Sequence, residues 1–252
     1  IEDKNGTINI THGDDNTIVV HAVKRAATDE LLGKLTVEMH QDGNTITVQT
    51  TGDTFNGFVF VGGNRMAVDY DIQVPAHTDI APVRSSNGRI EVSGIAGRLD
   101  LHTSNGVITA RDVNGSVTAT SSNGRVVVSG GRGALQLSTS NGIVEVQNVQ
   151  TQGLDLYTSN GKILFTGSLA PGSKNHADTD NGTISFTIPS ESALNVDLRS
   201  GNGSVNVGFP VTTAPGTAAK RNAVQGVIGR PDGDLTLRSG NGSITLMKQG
   251  GS

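Results

Sequence analysis

The chain has 252 residues, 34 of them glycine, with 3% aromatic residues, no tryptophan, no cysteine and 19 basic against 23 acidic side chains for a net charge of −4. No cysteine means no disulfide, no thiolate metal site and no cysteine nucleophile; no run of like charges means no nucleic-acid partner is expected, and no apolar run approaches the roughly 18 residues that a membrane span needs. Valine, isoleucine, leucine and phenylalanine supply 64 residues, enough for a folded core of small and branched side chains.

Residues 1–80 alternate apolar and polar positions at Ile8 and Ile10, Ile18 and Val20, Leu35 and Val37, Ile46 and Val48, and Val68 to Val74. That is the period of strands with one buried face. Their spacing is irregular, and the expectation is a set of imperfect rungs capping a stack. Ala26–Leu35 is the one candidate helix.

From residue 81 to 207 the glycines fall into order. Asn-Gly pairs recur with the Asn at 87, 105, 123, 141, 160, 181 and 202, and again at 241. The steps are 18, 18, 18, 19, 21, 21 and 39 residues, an internal repeat. Two residues after each glycine stand Ile90, Ile108, Val126, Val144, Ile163, Ile184, Val205 and Ile244, all β-branched. Before each Asn a second strand is marked by pairs such as Leu99 and Leu101 or Leu154 and Leu156; the rung before Asn181 departs, with Asn175 and Ala177 there.

Each Asn-Gly is expected to turn a sharp corner through positive φ, with Gly97, Gly115, Gly133 and Gly153 at a second corner. Stacked rungs of about 18–21 residues, about 4.8 Å apart, would form a single-stranded, right-handed parallel β-helix, a β-solenoid. The columns Thr103, Ser121, Thr139, Thr158 and the corner asparagines would then hydrogen-bond in ladders. The alternative is an antiparallel meander or sandwich, because Asn-Gly also favours hairpins. Residues 208–233 read as a loop leaving the stack and 234–249 as the final rung, within one domain spanning 1–252.

The run SSNGRIEVSGIAGRLDLHTSNGVITARDVNGSVTATSSNG, with VDYDIQVP before it and GDLTLRSGNGSITL at the end, resembles the bacterial putative-adhesin β-strand-repeat family. This is a domain of unknown function related to head-GIN auto-transporter adhesins. The resemblance implies an exported or surface β-solenoid without established chemistry, and it supplies no catalytic residues. The start at Ile1 reads as a trimmed or mature fragment, and the resemblance implies a place outside the cytoplasm, whether secreted, periplasmic or at the cell surface.

No catalytic, cofactor or metal site is expected. Glu91 and Glu145, read as two rungs and about 9.6 Å apart with Val127 between them, are solvated surface acids rather than a carbohydrase pair. The six histidines share no column. Asp178 to Gly182 and Asp232 to Asp234 read as turns rather than calcium loops. Arg89, Arg125 and Lys162 form a basic stripe along one face that could meet an anionic glycan or another envelope component. The expectation is a non-enzymatic surface binding module. The alternatives are a filament built by self-association of end rungs and, third, a polysaccharide-active β-helix enzyme.

Overall fold

The computed structural model describes residues 1–51, 66–213 and 220–250. The chain is all-β apart from one short helix, and most strand pairs are parallel. In the first column of strands lie β2 (Thr7–His12), β6 (Ala67–Val74), β8 (Arg89–Ser93), β10 (Ile108–Asn114) and the first part of β12 (Val126–Thr139). Their register Ile10↔Val92↔Ala110↔Val128 stacks equivalent repeat positions. A second column holds β1 (Glu2–Asp3), β5 (Thr45–Thr51), β7 (Ile80–Ser85), β9 (Leu99–Thr103) and β11 (Val117–Ser121). Further on, the strands run continuously around the corners, as β12, β13 (Ile143–Leu169) and β14 (Lys174–Ile188). The apolar positions named from the repeat, Ile90, Leu101, Ile108, Leu156, Ile163 and Ile184 among them, lie buried between the columns.

The hairpin alternative would pair Leu101 with Ala110; instead Leu101 pairs with Val83 and Ala119, both parallel. Among the described strands, three pairs are antiparallel: β3 (Val19–Arg25) on β6, β4 (Thr36–Asp42) on β5, and β17 (Ala223–Ile228) on β15 (Leu194–Asn202). Between β3 and β4 sits the helix α1 (Asp29–Lys34), started by Thr28, whose Oγ1 accepts from the Leu31 amide. The strand before Asn181, expected to be weak, is intact: Asn175 stacks between Leu154 and Leu235. Its Nδ2 donates to Ser173 Oγ and to the Asp234 carbonyl, which offsets part of the cost of a polar group in an apolar column, while its Oδ1 is buried without a partner.

Chain order and stacking order differ at both ends. The rung of β1 and β2 lies inside that of β5 and β6. At the other end, β18 (Asp234–Asn241) and β19 (Ile244–Lys248) insert between β14 and the rung of β15 and β16 (Val205–Val207). Residues 234–249 are thus last in sequence but not last in the stack. Within 208–233, read as loop, β17 forms a true strand.

The corner asparagines form one directional ladder. Each Nδ2 donates to the Oδ1 of the rung before, at 2.8–3.1 Å, through Asn87, Asn105, Asn123, Asn141, Asn160, Asn181, Asn241 and Asn202. Asn5 begins it by accepting from Asn87. The hydroxyl column does not bond to itself. Ser121 Oγ instead accepts from the Gly124 amide of its own rung and donates to the Gly106 carbonyl of the rung before, and Thr103 does the same with Gly106 and Gly88.

Positive φ does not explain the repeated corner glycines. Gly106 and Gly124 are absent from the left-handed region, which Gly242 occupies at φ 155°. What forbids a side chain is the rung below: a Cβ on Gly124 would lie 1.6 Å from the Gly106 carbonyl oxygen, and one on Gly106 would lie 1.7 Å from that of Gly88.

Candidate functional site

Parallel register turns alternate residues of each rung into outward columns. On the late rungs one such column reads Gln136, Asp155, His176, Thr236, Asp197, and a second reads Ser138, Tyr157, Asp178, Arg238, Arg199. Beside them Lys174, Asp234 and Asn195 align, with Asn195 Nδ2 donating to Asp234 Oδ1 at 3.0 Å. Here the excursion returns. β17 pairs with β15 through Asp197↔Gln225 and Asn195↔Val227, and Thr212 closes two backbone hydrogen bonds with Val227 at 2.9 Å.

The result is a groove of about 1150 Å³. Its floor is the column Asp155, His176, Thr236, Asp197, and its wall is Thr212, Thr213 and Gln225. Several side chains are held in place by neighbours. Arg199 Nε donates to Asp197 at 2.6 Å, and beside the groove the Tyr157 hydroxyl donates to Asp180 at 2.9 Å. His176 Nε2 stands 3.9 Å from Asp178. The order Asp155, His176, Thr236 on neighbouring strands has the composition of an acid, a base and a hydroxyl. No hydrogen bond joins the three, and nucleophilic catalysis needs that contact. What the groove does offer is carboxylates, amides, an imidazole and hydroxyls at one strand spacing, a surface able to donate and accept along a polar chain.

The basic stripe falls elsewhere. Arg89 pairs with Thr7 in register, and Lys162 with Thr183. Its charge is offset locally: Arg89 lies 3.3 Å from Glu91, which Arg111 also approaches at 4.0 Å, and Arg125 lies 3.4 Å from Glu145. The register Glu91↔Thr109↔Val127↔Glu145 puts the two acids three steps apart rather than two. At about 4.8 Å per step that is about 14 Å, beyond the span of paired glycosidase carboxylates. Asp178 to Gly182 lies inside β14 rather than in a loop. Among the described residues no group of three or more His, Asp or Glu side chains could hold a metal ion.

The sequence reading passed over the groove because its wall comes from a stretch rich in glycine and proline. One signal was present: Ala223–Ile228, AVQGVI, has the apolar content of a short strand.

A family model described as Toastrack DUF4097 matches residues 1–247. No curated protein matches. Among solved structures the chain is similar to a putative cell adhesion protein from Clostridium sporogenes ATCC 15579, at 12% identity over 98% of this chain and 89% of that one, with a TM-score of 0.26.

Proposed function

The chain belongs to the Toastrack family, and from that premise we propose that it is a non-enzymatic binding module of the bacterial surface or envelope, holding a glycan in the groove on its late rungs. The observation that carries this is the wall. An otherwise regular stack is interrupted after Val207, and β17 returns to line an open groove of about 1150 Å³ in which carboxylates, amides and hydroxyls stand among apolar side chains. Sugar hydroxyls both donate and accept, so they match a floor of Asp155, His176, Thr236 and Asp197 better than a like-charged face would. The half-exposed ring of Tyr157 stands beside that floor and gives a sugar ring an apolar surface to stack on.

The extracytoplasmic placement and the tie to head-GIN adhesins belong to the same proposal and rest on the sequence resemblance. A right-handed winding follows from the strong preference of parallel crossovers. Filament growth is the weaker reading, because the antiparallel β17 on β15, bridged in turn by Thr212, interrupts the parallel stack that head-to-tail growth would extend.

The test is a glycan array probed with the wild-type chain and with Asp155→Ala. Saccharide binding that falls about tenfold in the variant, at unchanged thermal stability, supports the reading. Equal binding by both, or saccharide hydrolysis by the wild type, overturns it.

A further inference from the structure

The two ends of the stack are closed to different degrees. At the late end β15 is covered by β17, β17 is bridged in turn by Thr212, and the Val205 amide donates to the Arg221 carbonyl. At the early end the outermost strands are β3 and β4. Among the described residues β3 pairs only with β6 and β4 only with β5. Among the described residues each therefore leaves one backbone edge unpaired, the feature that recruits another strand. Among the described residues, five of the seven exposed large apolar side chains, Ile18, Val19, Val23, Met39 and Ile46, cluster at this same end.

The charges on the two free edges are opposite. β3 carries Lys24 and Arg25, and β4 carries Glu38 and Asp42. Both basic groups are anchored at the edge, Lys24 Nζ on the Leu35 carbonyl at 2.9 Å and Arg25 on Asp69. Two-fold contact of β3 with β3 is antiparallel and would set Lys24 and Arg25 against Val20 and Val19, with no acid to meet either charge. Contact of β3 with the β4 of a second copy satisfies both edges at once, and a two-fold axis makes the two contacts identical.

We propose that the early end is a self-association face, where β3 of one chain pairs with β4 of a second copy to give a closed head-to-head dimer. The two-fold contact uses both early-end edges of each chain, so assembly through this face stops at two. The groove begins seven strand spacings from β4, about 34 Å at 4.8 Å each, so the dimer holds two grooves about 70 Å apart at its far ends. Such a particle bridges two ligands, or grips one long polymer twice with a gain in avidity. The self-association itself does not depend on what the groove binds.

Sedimentation velocity tests it. The wild type is expected to run at the mass of two chains. Lys24→Glu with Arg25→Glu is expected to run as one chain, as is Glu38→Lys with Asp42→Lys, and an equimolar mixture of the two variants should recover the two-chain species because their edges are again opposite. Hydrogen exchange of the wild type needs no variant: raising concentration should protect Val19–Arg25 and Thr36–Asp42 and leave Ala223–Ile228 unchanged. A wild type that stays single, a mass that keeps growing with concentration, or variants that fail to pair on mixing would each overturn the proposal.

Discussion

Asn241 donates its Nδ2 to the Oδ1 of Asn181 at 2.8 Å, across 60 residues of chain, and its own Oδ1 accepts from Asn202 at 2.8 Å. The last corner in sequence is therefore an interior corner in space, with a rung on either side. Leu237, fully buried between Ala177 and Leu198, should behave as a core residue. Leu237→Ala is expected to cost about 2–5 kcal/mol, the range for a buried leucine whose site cannot collapse. A loss below about 1 kcal/mol in denaturant unfolding would mean that this rung frays.

Two glycines separate steric need from conformational need. Gly124 has ordinary φ but no room, with the Gly106 carbonyl 1.6 Å from any added Cβ; Gly172 has φ 73° and open space around it. Gly172→Ala should cost about 1 kcal/mol of backbone strain. Gly124→Ala must push two rungs apart and break the Ser121 contact, so about 3 kcal/mol is expected, the upper end of the range for overpacked interiors. Thermal denaturation of the two variants side by side gives the ranking, and a milder effect at Gly124 would contradict the stacked corner.

The repeat was legible because stacking puts the same demand on each rung, so Asn, Gly and the β-branched column recur at one spacing. Stacking order was not. Every rung carries the same corner signal, and nothing in Asn181, Asn202 or Asn241 says which two are neighbours. Asn5 escaped the series because 82 residues separate it from Asn87, which hides the period although Asn5-Gly6 is the same pair. The positive-φ account of the corners failed for a related reason: the sequence shows where glycine stands, whereas the carbonyl that excludes a Cβ arrives from another rung.

Asparagine followed by glycine is chemically fragile, because the glycine amide nitrogen can attack the side-chain carbonyl. Here the Gly124 amide is bound to Ser121 Oγ at 2.8 Å, and the Asn123 side chain is bound to both Asn105 and Asn141. Native protein aged at neutral pH should keep Asn123 intact while the urea-unfolded chain loses it rapidly, as peptide mass spectrometry would show.

Asp3 is a buried carboxyl at the early end. Its Oδ1 accepts from Thr50 at 3.0 Å, Thr50 Oγ1 lies 2.6 Å from the Tyr70 hydroxyl, and the Asp3 Oδ2 lacks a partner. Burial pushes its pKa up to about 6, against the pull of Thr50 and with Asp69 nearby adding to the rise. A folded-state pKa above the unfolded value means that the stability is fully present below about pH 4 and is lost as pH rises through about 6. The loss is at most about 3 kcal/mol. Asp3→Asn should flatten that part of the stability curve relative to wild type, and parallel curves for the two proteins between pH 4 and 7 would refute the assignment.

The groove and the basic stripe make opposite predictions for binding. Thr213 and Gln225 stand on the exposed wall of the groove, opposite the floor of Asp155 and His176, so a bulky indole at either position would occupy ligand space without touching the core. Thr213→Trp or Gln225→Trp is expected to weaken saccharide binding about tenfold or more with little change in unfolding midpoint, because neither side chain is buried. The three basic residues already share their face with Glu91 and Glu145, within 3.3–3.4 Å of Arg89 and Arg125. Ion pairs of that exposed kind contribute little and screen each other. Changing Arg89, Arg125 and Lys162 together to Ala should therefore leave the affinity within about twofold. If calorimetry finds the reverse, with the triple alanine variant losing binding and the tryptophan variants keeping it, the ligand sits on the stripe and the groove is only a by-product of the detour that β17 makes.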